Sequence, residues 1–97
     1  MEEIELERRV RDLQSKYGLL GFHCADSRGS VAGFPDWVIV GRAVLFRELK
    51  SAHGELTTPQ RRWGFALIHA GADYSVWRPA DLVSGRIERE LAAIRLG

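Results

Sequence analysis

The sequence predicts a mixed β-sheet flanked by helices, an α/β or α+β sandwich of minimal size, formed as one domain over residues 1–97. Three observations carry that reading. Apolar residues recur at steps of three and four in the opening segment and again in the tail, the spacing of amphipathic helices. Short apolar runs bounded by glycine and small polar residues fill the middle, as strands do. Between two of those runs lies a segment with helix start and stop signals, so the order is helix, strand, hairpin, helix, strand, helix.

Each element follows from its residues. In EEIELERRVRDLQSKYG the residues Leu6, Val10, Leu13 and Tyr17 form one apolar stripe, and Gly18 is the stop. LLGFHC, Leu19 to Cys24, is expected as the first strand, and the small and turn-forming residues of ADSRGSVAGFPD as a loop. WVIVG and VLFRELK are two strands separated by Gly41 and Arg42, the spacing of a tight antiparallel hairpin. That hairpin sets position 36 opposite position 47 and diagonally near 48. A loop and a helix follow, with Thr57 or Thr58 as cap, Pro59 in the first turn and Gly71 at the close. Ala72 to Trp77 is the last strand, and the second half of the tail is helical, with Ile87, Leu91 and Ile94 on its stripe.

Composition limits the functions open to the chain. Apolar residues make up 45% and charged ones 28%, and no apolar run approaches the roughly 20 residues of a membrane span. No basic stretch followed by an apolar one opens the chain as a secretory signal would, so the expected location is cytoplasmic. The single Cys24 cannot form a disulfide within the chain and reads as a small buried hydrophobe. A formal net charge of +1 supplies no strong overall field, so nucleic acid would have to be met by a local patch. His23 and His53 are too far apart in sequence to be a spaced ligand pair, and neither Cys-x-x-Cys nor His-x-x-x-His occurs, which argues against zinc. His69, beside Ile68 in the helix, reads as packing or surface.

The chemistry gathers on the hairpin. Glu48 and Lys50 stand two apart on a strand that reads as otherwise buried, so they point to the same face. Asp36, after Pro35, opens the partner strand, and the two carboxylates can converge. Close carboxylates repel unless a cation neutralises them. Mg²⁺ and similar hard ions do so with one or two carboxylates while keeping water and phosphate on their other positions. An adjacent ammonium can hold a phosphate oxygen or poise a water. Two acids and a lysine therefore suit phosphodiester hydrolysis.

With Pro35-Asp36 followed by Glu48-Leu49-Lys50, the chain resembles the PD-(D/E)XK nuclease superfamily, and the run GELTTPQ ending at Gln60 is similar to the virus-type replication-repair nuclease domain, VRR-NUC. The resemblance covers nearly the whole chain. It implies an α-β-β-β-α-β core with a C-terminal helix here, a divalent metal, Mg²⁺ or Mn²⁺, and cleavage of DNA. It makes Asp36, Glu48 and the backbone carbonyl of Leu49 metal ligands, Lys50 the catalytic lysine, and Gln60 a residue that orients the lysine or the water. Family members of this size are expected as homodimers, with structure-selective action on junctions or flaps, as Holliday-junction resolvases have, and without membrane or organic cofactor. The opening helix of the family often carries Glu followed four residues on by Gln. Here Glu3 is followed by Glu7.

Simpler roles compete with these. Glu48 and Lys50 could be a same-face ion pair on an exposed strand, and Asp36 a turn residue. Thr57-x-x-Gln60 has capping-box spacing. Extending the stripe 6, 10, 13, 17 backwards reaches position 3, so Glu3 points inward, and the resemblance implies that it joins the metal site, with Glu7 as its substitute if the phase slips; the alternative is a first turn that overhangs the core and leaves Glu3 solvated at the helix N-terminus. Arg28, Arg61 and Arg62 flank the site in sequence as candidate phosphate contacts, against plain surface charge. Trp37, Trp63 and Trp77 are assigned to the core, with stacking on a base as the alternative for Trp63.

Overall fold

The computed structural model describes residues 1–24 and 31–97. The elements run α1 (Glu3–Lys16), β1 (Leu20–His23), β2 (Trp37–Val40), β3 (Val44–Leu49), α2 (Thr58–His69), β4 (Asp73–Trp77), α3 (Pro79–Val83) and α4 (Arg86–Ala93). The predicted order therefore holds, with the tail divided into two helices. Gly85 makes that division, because its φ of 83° is left-handed and no helix continues through it.

Among the described residues the strands form one sheet in the order β1-β2-β3-β4. β1, β2 and β3 pair antiparallel, and β4, returning through α2, lies parallel to β3. Alternation then sorts the side chains. Trp37, Ile39, Leu45, Leu49 and Trp77 face α1 and α4, where they pack with Leu6, Val10, Ile87 and Leu91 in the core. The opposite face carries Phe46 and Tyr74, over which α2 lies. Gly64 makes that approach possible, since a Cβ there would stand 2.6 Å from the Tyr74 ring.

The hairpin corrects the predicted register by one residue. Its loop is Gly41-Arg42-Ala43, three residues rather than two, and Val40 pairs with Val44. The reason is tertiary. The Arg42 N–H donates to the Ile94 carbonyl at 2.7 Å, and a Cβ on Gly41 would lie 2.1 Å from that same oxygen. The end of α4 thus grips the turn. Trp37 consequently faces Arg47, and one step further Asp36 and Glu48 face each other directly.

Candidate active site at the end of the sheet

Asp36 and Glu48 meet where β2 begins and β3 ends. Pro35 is buried before Asp36, and the Asp36 carbonyl accepts from the Cys24 N–H at 2.7 Å, which ties the approach to β2 onto β1. The Asp36 side chain is not spent on a local turn. Its Oδ2 accepts from the Leu49 N–H at 2.8 Å, across to β3. That bond fixes one carboxylate oxygen beside the Glu-Leu-Lys segment.

Glu48 is 2% exposed. It is no surface ion pair, because no cation of a described residue lies within 4.0 Å of it. Its described donor is Gln60, whose Nε2 gives a hydrogen bond to Oε2 at 3.0 Å. Burial, then the contact with and charge of Asp36, push the Glu48 carboxyl up to about 9, while the charge of Lys50 pulls the other way. Lys50 sits just past β3, its N–H donating to the Trp77 carbonyl at 3.0 Å, so the parallel pairing continues through it. Alternation leaves Glu48 and Lys50 on one face, as predicted.

Gln60 forms the capping box that its spacing predicts and makes a second contact as well. Its Oε1 accepts from the Thr57 N–H at 2.8 Å and its own N–H donates to Thr57 Oγ1 at 3.3 Å, a complete capping box. The other end of the same amide holds Glu48. The helix cap and the buried carboxylate share one side chain.

The first turn of α1 closes the site from the other face of the sheet. Glu3, Ile4, Glu7, His23, Asp36 and Leu49 line a cleft of about 310 Å³. Glu3 remains accessible to solvent at its rim, yet partial burial and then Asp36 raise its carboxyl, with Lys50 opposing. Glu7 turns instead to His23, whose Nε2 is 2.8 Å from Glu7 Oε1. Arg61 and Arg62 are exposed on the outer side of α2, and Arg28 lies outside the described residues.

Two neighbours of the site escaped the sequence reading. His23 stands out in the sequence only by its zinc-ligand chemistry, although alternation from Gly21 puts it on the Trp37 face, where the rings stand 4.4 Å apart. Tyr74 is raised by burial and then by Glu48 and Asp36. Its signal was the pairing of β4 with β3, which the sequence left open.

The donors fit a hard cation. Asp36 and Glu48 are facing carboxylates, and the buried one has a single neutral donor among the described residues. No three His, Cys, Asp or Glu side chains among those residues are grouped to hold a metal ion, so this would be an open, partial shell of the sort Mg²⁺ completes with water and substrate oxygens.

The fold has a solved counterpart. A protein described as "VRR_NUC domain protein" is similar over 94% of this chain and 90% of its own, with a TM-score of 0.70 and 21% identity. The chain has the VRR_NUC fold. No family model matches the sequence, and no curated protein does. Within the VRR_NUC fold of this chain, Asp36, Glu48, Lys50 and Gln60 stand together at one end of the sheet. Among the described residues no helix is long and apolar enough to cross a membrane.

Proposed function

We propose that this chain is a metal-dependent DNA endonuclease, acting in the cytoplasm and selective for DNA structure, such as flaps or junctions. One observation carries the reading: a nearly fully buried Glu48 faces Asp36 across the β2–β3 ladder, with Lys50 two residues on. Burying a carboxylate beside another is costly without a cation. The likeness to a VRR_NUC domain protein supports a nuclease-type fold.

In this reading Asp36, Glu48 and the Leu49 carbonyl would hold Mg²⁺ or Mn²⁺, with Glu3 as a further carboxylate at the site. When bound, such an ion supplies Lewis-acid polarisation of the phosphate and an acidified water. Lys50 brings positive charge to the non-bridging or leaving oxygen. Gln60 fixes the Glu48 carboxylate, and Asp36 is fixed by the Leu49 amide. Arg61 and Arg62 contact phosphates along the strand. The working form is a homodimer, which sets two such centres on one branched substrate.

The test is a panel of single-stranded, flapped and four-way-junction DNA with and without Mg²⁺ or Mn²⁺. Metal-dependent cutting is expected, lost in Lys50→Ala while calorimetry still detects metal binding. Binding without cutting in any metal would make the chain a non-cleaving DNA module. Neither binding nor cutting would leave an interaction domain.

A further inference from the structure

A second cleft lies on the α2 face of the molecule. Val31, Ala32, Pro59, Arg62, Trp63 and Ala66 line it, and it encloses about 370 Å³. That is near the small end of ligand clefts, which run from roughly 300 to 1,000 Å³. Its walls are held in place. Gly33 has a φ of +89°, and a Cβ there would stand 2.3 Å from the Pro59 carbonyl carbon, so the segment leading into β2 is seated on the first turn of α2. Phe34 meets Trp63 edge-on, centroids 5.1 Å apart, and meets Phe46 in the same manner at 6.3 Å. The indole is thus anchored to the sheet while still lining the cleft.

We infer that this cleft seats one unpaired nucleobase of the substrate, next to the bond cut at the Asp36 and Glu48 centre, with Trp63 as its stacking surface and Arg62 at its rim. The inference rests on the nuclease reading above. Position is the first argument. Gln60 touches Glu48, and Trp63 follows three residues later, about 4.5 Å along the helix axis. A nucleotide beside the reacting phosphate would reach the cleft. Charge is the second. Arg61 and Arg62 are exposed, and neither is ion-paired with a described residue, so the rim carries cations that an apolar peptide would leave unmatched and a phosphate chain would meet. Aromatic faces with adjacent cations are how proteins hold single strands without reading sequence. A base inside a duplex is stacked on both sides and cannot enter, so the cleft selects for unpaired nucleotides at the cut.

Intrinsic fluorescence tests this directly, because Trp37 and Trp77 are 1% and 0% exposed and Trp63 is the accessible indole. In EDTA, titration with oligothymidylate should quench the emission, and a blunt duplex of equal length should not. Ala66→Leu fills the cleft from an exposed helix position. It should abolish the quench and weaken oligothymidylate binding by roughly five-fold or more, the scale of one lost base stack, with an unchanged melting temperature. Arg62→Ala should weaken binding and flatten its salt dependence. A parent protein that cleaves DNA in Mg²⁺ but shows no quench, or an Ala66→Leu variant that binds and quenches like the parent, overturns the base-seat alone. A parent that neither binds nor cleaves any DNA overturns it together with the nuclease reading.

Discussion

At the scale of single residues, the buried carboxyl of Glu48 dominates. In the metal-free protein burial and then Asp36 push it up to about 9, whereas in the unfolded chain it has its ordinary 4.5. Between those values the unfolded state has released a proton that the folded state retains, so raising the pH favours unfolding. We expect the metal-free melting temperature to fall from pH 5 to pH 9, and Mg²⁺, which requires the ionised form, to oppose that fall. Glu48→Gln should melt with a much flatter pH profile, bind DNA and not cut it. A parent-like pH profile in that variant would place the titration elsewhere. Glu3 makes the second residue-scale prediction. It lines the cleft of Asp36 while Glu2, the preceding N-cap, does not. Glu3→Gln should cut turnover by about ten-fold or more, at least ~1.4 kcal/mol of transition-state stabilisation, and Glu2→Gln should leave it unchanged. Equal rates in the two variants would reduce α1 to a scaffold. Strand alternation and helix phase made Glu3, Glu48 and Lys50 legible in the sequence, since those periods are local. The contact of Gln60 with Glu48 was not legible, because it depends on where α2 lands on the sheet.

At the scale of elements, the face of the sheet away from α2 hides a charge that the sequence reading missed. Arg47 is 2% exposed. Its guanidinium donates to the carbonyls of Phe46 and Asp73, to Asp73 Oδ1 and to Glu90 Oε1, and lies over the Trp77 ring at 5.1 Å. Glu90, which burial raises but Arg86, Trp77 and Arg47 together hold below its usual range, accepts from Arg86 and the Trp77 indole as well. The cluster ties β3, β4 and α4 together. Arg47→Ala would remove the buried guanidinium that joins β3, β4 and α4, while Arg86 and Trp77 still hold Glu90, and is expected to destabilise the fold by about 1–3 kcal/mol, measured by urea titration. A loss under 1 kcal/mol would show that the cluster contributes nothing net. In the sequence nothing marks Arg47 within VLFREL as a buried centre, because its partners lie 26 and 43 positions away. The split of the tail was hidden for a related reason, as Gly85 alone gave little sign of a second helix.

At the scale of the whole molecule, the helices leave part of the sheet bare. Leu20 is 75% and Phe22 67% exposed, and Val40 and Val44 continue the same face across the paired strands. An apolar surface of this kind marks an interaction site more often than a solvent-facing one. The proposed homodimer would cover it. Light scattering should then give twice the chain mass for the parent and a monomer for Phe22→Asp, with junction cleavage falling in step. A monomeric parent that resolves junctions fully would reject the dimer. The fold class, the order of elements and the convergence of Asp36 and Glu48 at one end of the sheet were all readable in advance. The hairpin register was not, because the Ile94 carbonyl, half the chain away, chooses the loop length.

The shared amide of Gln60 makes the start of α2 an instrument panel for the proposed metal centre at the end of the sheet. One side chain completes the helix cap and donates to Glu48, so any event that draws Glu48 toward a cation loosens or re-aims a bond on which the first helical turn also leans. Occupancy of the centre and fraying of the helix are then thermodynamically linked. Amide hydrogen exchange at Thr57 and Gln60 should change on adding Mg²⁺, while amides in the last turn of α2 keep their rates. In Gln60→Ala the first turn should exchange faster and should no longer respond to the ion at all.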